Sequence, residues 1–275
     1  MTDAVFKRCA FCEQAAPMTK EHIWGDWIKA FVPPVANKHG YQRIVVPRPG
    51  ERNAEPPQTR AGNPIGATVP IVCERCNSEW MSQIQEKAKP HLIPLFDGFD
   101  VTLSVAAQAA IAKWATMSTM TAEYLGRGDP HIAVPQNDRA LLMRGHIPET
   151  WRVWIGLLAH AGWKRQWQHA VLPILDAEYL PQSVKDDDRL PNTQTTTFAV
   201  GKLLVTTFSS PFPSITHGWD WRTAPRAGRM IRQIWPITTS SLRLPLQRLS
   251  HTSANMIGDA FVRYSDALAA EKGFI

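Results

Sequence analysis

The four cysteines constrain the fold of this chain more than any other feature, because they form two C-x-x-C pairs with none left over. The pairs are Cys9/Cys12 and Cys73/Cys76. Thiolates separated by two intervening residues on a turn can both face one Zn²⁺, and four such thiolates complete a tetrahedron. The spacing therefore predicts a structural zinc, and the alternatives are two redox-active pairs or ordinary buried thiols.

Length and charge bound the class of protein. Of the 275 residues, 44% are hydrophobic, which is enough for a sizeable core. The length allows one large domain or two modest ones, and we expect two. The formal net charge of +6 suits an anionic partner, but 24 acidic residues lie among the 30 basic ones, so only a local basic cluster would attract it. The N-terminal residues lack the apolar core of a signal peptide, and no apolar run approaches the roughly 20 residues of a membrane span. We expect a cytoplasmic protein without a membrane partner, where reducing conditions favour metal binding over disulfides.

The 60 residues between Cys12 and Cys73 exceed the roughly 15 to 20 that usually separate such pairs, which indicates an insertion. Residues 19–31 have helix-like spacing of apolar side chains and predict a short helix or turn, with Thr19 as its cap. Residues 32–68 are rich in Pro, Gly, Asn and Arg around one strand-like run at 41–46. We expect a long inserted loop with a small β element there.

Hydrophobic periodicity predicts three helices after the second cysteine pair. The first spans residues 78–89 and ends before Pro90 and Pro94, the second spans 103–125 and the third spans 135–145. Short apolar strands are expected after these helices, at residues 152–158, 170–174 and, as a hairpin turning near Gly201, 195–209. The C-terminal part therefore mixes helix and sheet.

Three polar residues accompany the cysteine pairs. Glu21 and His22 lie nine and ten residues after Cys12, and Asn77 directly follows Cys76. Taken singly they have ordinary interpretations, namely an acid and a surface histidine at a helix start, and an asparagine that caps the following helix. A zinc frame could nevertheless gather the carboxylate, the imidazole and the amide on one small surface.

The order C-x-x-C, acid-His, C-x-x-C-Asn resembles the HNH, or ββα-metal, endonucleases. It is most similar to their zinc-bearing branch, which includes the phage endonuclease VII class of Holliday-junction resolvases. The phrases TKEHIW and C-x-x-CN-x-x-WM are also similar to those of uncharacterised phage and bacterial HNH-like proteins. The resemblance covers residues 9 to 97, about a third of the chain.

This resemblance implies a zinc-braced ββα-metal module resembling a treble clef over residues 1–97. With the helix and strand patterns that follow it, the expected fold is α+β, with a mixed α+β domain over 98–275 that positions the substrate or binds nucleic acid. The four cysteines would hold the structural Zn²⁺. Glu21, which stands where the family usually has Asp, would hold a catalytic Mg²⁺ or Mn²⁺ together with Asn77. His22 would be the general base that activates water to hydrolyse DNA phosphodiester bonds. The group that orients His22 is unassigned by this comparison, with Asn63 as the nearest candidate.

A second basic feature lies near the C-terminus, where residues 221–250 contain six arginines and no acid. A helix would align four of them on one face, where they could contact nucleic-acid phosphates. The four are Arg222, Arg226, Arg229 and Arg232. Pro225 and Gly228 disfavour such a helix, and a solvated arginine face without a ligand is the equal alternative.

Two other functional classes remain compatible with the sequence. One is a zinc-stabilised module that binds nucleic acid or protein, such as an anti-defence or regulatory factor, and cuts nothing. The other is a nuclease or toxin that acts on RNA through the same residues. Trp24, Trp27 and Trp80 are interpreted as core side chains of the zinc module and not as platforms for base stacking.

Overall fold

The computed structural model shows a mixed α+β fold, as predicted. It describes residues 7–32, 38–45, 53–54, 58–61, 64–125, 132–173, 191–213, 215, 221, 224–244 and 247–271. Its strands form one large sheet and two small two-stranded sheets, with helices packed against them. No helix within these ranges is long and apolar enough to cross a lipid bilayer.

The N-terminal region is a two-stranded antiparallel sheet followed by a long helical segment. The sheet pairs β1 (Met18–His22) with β5 (Thr68–Cys73). The helical segment consists of α1 (Glu74–Cys76), a π-helical turn (Asn77–Met81) and α2 (Ser82–Asp97). It ends at Gly98, whose φ of +75° is accessible to glycine without strain.

Within the described ranges, the large sheet has eight strands. They are β2 (Lys38–Val45), β3 (Asn53–Ala54), β4 (Gln58–Ala61), β7 (Trp151–Leu157), β8 (Trp167–Leu172), β9 (Thr193–Val200), β10 (Leu203–Ser209) and β11 (Arg232–Trp235). Neighbours follow the order β11, β7, β10, β9, β8, β2 and β3, and β4 also pairs with β2. All of these pairings are antiparallel except that between β2 and β8, which is parallel. A separate small sheet pairs β6 (Val101–Ser104) with β12 (Ser241–Leu244).

The helices after α2 cover the two faces of the large sheet. They are α3 (Val105–Ala122), α4 (Gln136–Met143), α5 (Pro225–Gly228), α6 (His251–Gly258) and α7 (Ala260–Glu271). On one face, Trp114 of α3 packs against Phe198, with ring centroids 5.8 Å apart. On the other face, Phe261 of α7 packs against Phe208 at 5.4 Å. Because both faces are covered, every residue of β7, β8, β9 and β10 is buried.

The predicted hairpin at 195–209 is confirmed as β9 and β10, which join through Gly201 and Lys202. Gly201 has a φ of +59°, and a Cβ there would lie 2.5 Å from the carbonyl oxygen of Phe96. The N–H of Lys202 donates to that same carbonyl at 2.8 Å. Glycine therefore lets the hairpin turn dock on the end of α2. The predicted helices at 103–125 and 135–145 and the other two predicted strands are also present, as α3, α4, β7 and β8.

The prediction that Pro90 and Pro94 end the helix begun at residue 78 is wrong, because α2 contains both prolines and continues to Asp97. A proline inside a helix costs about 3 kcal/mol, since it removes a backbone hydrogen bond and crowds the preceding turn. Burial of Leu92 and Leu95 on the face that packs against α3 offsets this cost. Tertiary packing, not local propensity, decides where the helix ends.

The region 19–31 also differs from its prediction. Thr19 does not cap a helix but lies in β1, opposite Val72 of β5. The helical part is a short 3₁₀ turn, Asp26–Ala30, whose N-cap is Gly25. The backbone N–H and C=O groups of this region find hydrogen-bond partners in β5, so they do not need those of a local helix. The β-branched Thr19 therefore adopts the extended conformation.

The predicted insertion at 32–68 contributes strands to the large sheet, while its residues 33–37, 46–52, 55–57 and 62–63 lie outside the described residues. Its strand-like run forms part of β2, which pairs in parallel with β8 from Tyr41 opposite Trp167 to Val45 opposite Val171. The side chains of Tyr41 and Trp167 also pack with ring centroids 6.0 Å apart. The segment between the two cysteine pairs therefore contributes β2, β3 and β4 to the large sheet, whereas β1 and β5 form the separate two-stranded sheet.

One hydrophobic cluster extends across the boundary predicted between residues 97 and 98. It includes Trp24 from the first region and Phe198 from the second, whose rings lie 6.0 Å apart. The indole N–H of Trp114 donates to the carbonyl of Trp24 at 3.4 Å. The predicted boundary thus does not separate two hydrophobic cores.

A buried ion pair joins α3 to α4. The carboxylate of Glu123, just beyond α3, pairs with the guanidinium of Arg139 in α4, and both side chains are almost fully buried. Glu123 also accepts hydrogen bonds from the backbone N–H groups of Ala133 and Val134, at 3.0 and 3.2 Å. Arg139 donates a further hydrogen bond to the carbonyl of Met120. These contacts offset part of the desolvation of both charges, although burial still raises the pKa of Glu123.

Replacement of Arg139 by Met should destabilise the fold, because it leaves Glu123 buried without its countercharge. We expect a loss of about 3 to 5 kcal/mol in the free energy of unfolding, measured by urea titration. The matched control is Arg144→Met, since Arg144 directly follows the same helix but is exposed, and it should change stability by about 0.5 kcal/mol or less. Equal effects of the two substitutions would contradict the structural role of the pair.

Candidate metal centre

Three elements bring the cysteines together. Cys9 and Cys12 lie in a tight turn, in which the N–H of Glu13 donates to the carbonyl of Cys9 at 2.9 Å. The N–H of Ala10 attaches this turn to β5 through the carbonyl of Ile71, also at 2.9 Å. The second pair needs no loop, since Cys73 is the last residue of β5 and Cys76 lies in α1.

The four Sγ atoms lie within 4.8 Å of one another, and Cys12 Sγ is 3.7 Å from Cys73 Sγ. A tetrahedron of thiolates around Zn²⁺, with Zn–S bonds of about 2.3 Å, has S–S edges of about 3.8 Å. A disulfide bond would require about 2.05 Å, and all four cysteines are free. The sulfur atoms form one cluster and not two separate pairs, so the residues fit a structural metal such as zinc.

The environment of the thiols also favours a bound cation. Burial raises the pKa of Cys76, although the indole N–H of Trp80 acts in the opposite direction. Burial likewise raises the pKa of Cys9, but the backbone N–H groups of Cys12, Cys73 and Phe11 outweigh it and lower that pKa to about 7. A divalent cation would offset the remaining cost of holding several thiolates in a buried site.

Asn77 is held against β1 by a hydrogen-bond chain. The hydroxyl of Thr19 donates its single proton to the carbonyl of Val72 at 2.9 Å, so it can only accept from Asn77. The amide Nδ2 of Asn77 is the donor, at 3.0 Å from Thr19 Oγ1. This assignment leaves Asn77 Oδ1 as an available oxygen ligand. Asn77 itself has helical dihedral angles, and Cys73 is the N-cap of α1, so the interpretation of Asn77 as a cap is wrong.

Glu21 is a buried carboxyl at the end of β1, with 3% of its surface exposed. It forms no hydrogen bond or ion pair with any residue in the described part of the chain. Burial raises its pKa to about 7. A carboxylate in this position needs a cation or a proton to offset its desolvation.

His22 follows Glu21 and contacts a residue that the sequence comparison did not identify. Its Nε2 lies 3.0 Å from Asp26 Oδ1, at the start of the 3₁₀ turn. Burial lowers the pKa of His22, while Asp26 raises it and Lys29 lowers it. Asp26 is therefore placed to orient the His22 ring, and its spacing of four residues from His22 was the available signal. Asn63, the sequence-based candidate, lies outside the described residues.

The structure thus attaches Asn77 to the strand that carries Glu21 and His22. Among the described residues, these three side chains do not hydrogen-bond to one another. The polar residues adjoin the cysteine cluster directly, because Asn77 follows Cys76 in the chain and Thr19 pairs with the residue before Cys73. A mutation that disturbs the cysteines should therefore also disturb Asn77.

The arginines near the C-terminus do not share one helix face. α5 ends at Gly228, and Arg232 is the first residue of β11, where its guanidinium donates to the carbonyls of Arg229 and Ile231. Gly228 terminates the helix, and the burial of Ile234 favours β11. Arg226 and Arg229 are exposed, and Arg222 lies outside the described residues. Contact of these arginines with nucleic acid stays a prediction.

Metal analysis of the purified protein tests the cysteine cluster. We expect about one zinc ion per chain by mass spectrometry of the element, and loss of most of it in Cys76→Ser, because a serine hydroxyl does not replace a thiolate ligand. The Tm of that variant should also fall, since metal binding stabilises the folded state. Ser78→Ala, which alters an exposed side chain in the same helical segment, is the control. Full zinc content in Cys76→Ser would exclude the four-sulfur site.

Comparison of the chain with protein-family models, with curated proteins and with solved structures finds no match. Function must therefore be inferred from the chemistry of the side chains themselves. Those side chains offer one cluster of four sulfur atoms, an isolated buried carboxyl at Glu21, an oriented imidazole at His22 and an amide of defined orientation at Asn77.

Proposed function

We propose that this protein is a metal-dependent endonuclease of the HNH type, acting in the cytoplasm on DNA phosphodiester bonds. The orientation of the Asn77 amide carries the proposal, because its hydrogen bond to Thr19 leaves Oδ1 free beside the strand that holds Glu21 and His22. A zinc ion on the four cysteines would fix the position of Asn77 relative to β1. The two-stranded sheet and the helical segment that follows it support the proposal, since the resemblance implies a ββα module.

The residues fit a hard divalent cation. Mg²⁺ and Mn²⁺ prefer oxygen ligands and need only one or two from the protein. Glu21 would supply a carboxylate oxygen, which is buried and has no partner among the described residues, and Asn77 would supply its amide oxygen. When bound there, such an ion would neutralise charge on the phosphate and on the leaving 3′ oxygen.

His22 is suited to remove a proton from water. Its lowered pKa, caused first by burial, keeps the imidazole neutral at physiological pH. With Nε2 paired with Asp26 at 3.0 Å, the other ring nitrogen, Nδ1, would be the one that accepts a proton. His22 would accept the proton through Nδ1 as water attacks phosphorus, and Asp26 would hold the ring and stabilise the imidazolium.

A nicking assay on supercoiled plasmid, with Mg²⁺ or Mn²⁺ added, tests this mechanism. His22→Ala and Asn77→Ala should each lower the cleavage rate by about 100-fold or more, because one loses the base and the other a ligand. His160→Ala is the matched control, since His160 is an exposed histidine remote in sequence from the site. Cleavage that survives both site substitutions would overturn the mechanism. The same assay with RNA decides whether the substrate is DNA.

Replacement of Thr19 by Val tests the orientation of Asn77 separately. Valine keeps the shape of the side chain but cannot accept the amide proton, so Asn77 loses the partner that fixes its Oδ1. The Mg²⁺ concentration for half-maximal cleavage should rise by about 3- to 10-fold, with zinc content unchanged. Thr102→Val, an exposed threonine of β6, should leave the Mg²⁺ requirement as it is. An unchanged requirement in Thr19→Val would show that this hydrogen bond does not position the ligand.

The burial of Glu21 favours a second candidate function. Its pKa of about 7 means that the carboxyl is substantially protonated near neutral pH in the absence of a cation. A site that never recruits a catalytic ion would leave a zinc-stabilised module that binds nucleic acid without cutting it. Nucleic-acid binding without Mg²⁺-dependent cleavage by the wild-type protein would identify this function.

A further inference from the structure

A pocket of about 340 Å³ lies between the helical segment that contains α2, the helix α3 and the end of α4. Its size is at the lower end of the range for small-ligand sites, about 300 to 1,000 Å³. The space exists because α3 presents alanines, including Ala109 and Ala110, where larger side chains would fill it. Gly145, with a φ of +87°, turns the chain away after α4 and completes the rim.

The lining of the pocket has two chemically distinct parts. One part is apolar and includes Ile84 and the alanines of α3. It also includes Trp80, which packs on Phe11 but is only partly buried and so lines the pocket, unlike the purely core side chain that the sequence predicts. The other part is basic, with Lys87, Lys113 and Arg144, and no acidic residue lines the pocket. A ligand that matches both parts must combine a flat or apolar group with a negative charge.

The three basic side chains form no ion pair within the described part of the chain. Other basic residues of this protein do find carboxylates, as Arg165 does with Asp259 and Arg248 does with Asp100. Lys113 is moreover half-buried, in the middle of α3. Three uncompensated cations around one cavity favour binding of an anion.

We propose that this pocket binds one nucleotide unit, with its base against Trp80 and Ile84 and its phosphate near Lys87, Lys113 and Arg144. Bases pack on aromatic side chains regardless of sequence, and lysine and arginine supply the phosphate contacts. The volume suits a single nucleotide and not a folded partner. The same chemistry is offered by a single nucleic-acid strand and by a free mononucleotide.

The pocket also lies close in sequence to the proposed catalytic site, since Trp80 follows Asn77 by three residues in one helical segment. A nucleotide held there would belong to the strand that is cut and would lie near the scissile phosphate. This role as a substrate subsite rests on the proposed endonuclease function. Binding of a nucleotide unit by the pocket does not.

The test is fluorescence anisotropy of a labelled oligothymidylate of ten nucleotides, titrated with the zinc-loaded full chain. The protein carries His22→Ala, and no Mg²⁺ is added, so that cleavage is prevented. Lys87→Glu and Arg144→Glu should each weaken binding by about 5-fold or more, through loss of phosphate contacts. Lys164→Glu is the matched control, because Lys164 is an exposed lysine outside the pocket and carries the same charge change. It should change binding by less than about 2-fold if the effect is local.

A cavity-filling variant separates the effect of the pocket's shape on binding from the effect of its charge. Ala110→Leu fills the cavity and keeps all three cations, so it should weaken binding by a comparable factor while the Tm and zinc content confirm folding. Competition with thymidine 5′-monophosphate distinguishes the two possible ligands. Displacement of the labelled oligonucleotide indicates a site for a free nucleotide, and lack of displacement indicates a site for a nucleic-acid strand. Binding equal to wild type in all three pocket variants, or equal weakening in Lys164→Glu, would overturn the proposal. If the pocket variants weaken binding but the wild-type protein never cleaves nucleic acid, the nucleotide pocket is supported and the endonuclease function is rejected.

Discussion

The clustering of four thiols determines the geometry of the whole N-terminal region. The turn that carries Cys9 and Cys12 meets β5 and α1 at the cluster of four sulfur atoms, and the N–H of Ala10 also holds this turn to β5. The side chains with functional chemistry are attached to these same elements, and Asn77 is covalently next to a sulfur ligand. In this arrangement a structural ion would position Glu21, His22 and Asn77 without taking part in their chemistry.

The large sheet explains why this small region is not an independent unit. Its strand β2 comes from between the two cysteine pairs, and Trp24 packs in the same cluster as Phe198. The β9 and β10 strands carry many threonines yet are wholly buried, since hydroxyl pairs such as Thr119 with Thr207 satisfy one another at 3.0 Å. The site therefore rests on a scaffold packed on both faces, which limits its movement.

Side-chain chemistry and local periodicity were sufficient to predict part of this structure. The cysteine cluster, α3 and the hairpin at Gly201 follow from ligand spacing, a repeating apolar face and a turn residue. The errors arose wherever a distant partner decides the conformation: Thr19 is extended because Val72 lies opposite it, and α2 passes through two prolines because α3 covers its apolar face. Asp26 was missed because its contact with His22 depends on a 3₁₀ turn that local propensity does not specify.

The parallel pairing of β2 with β8 sets an order of events during synthesis. All four cysteines have been synthesised once the chain reaches residue 76. The edge of β2 that pairs with β8 has no partner until β8, Trp167–Leu172, has also been synthesised. Zinc can therefore close the 60-residue segment between the cysteine pairs while the interior of that segment still lacks its partner. With both ends already held together, β2 has fewer conformations to lose when β8 arrives, so early metal capture would lower the entropic cost of forming the sheet.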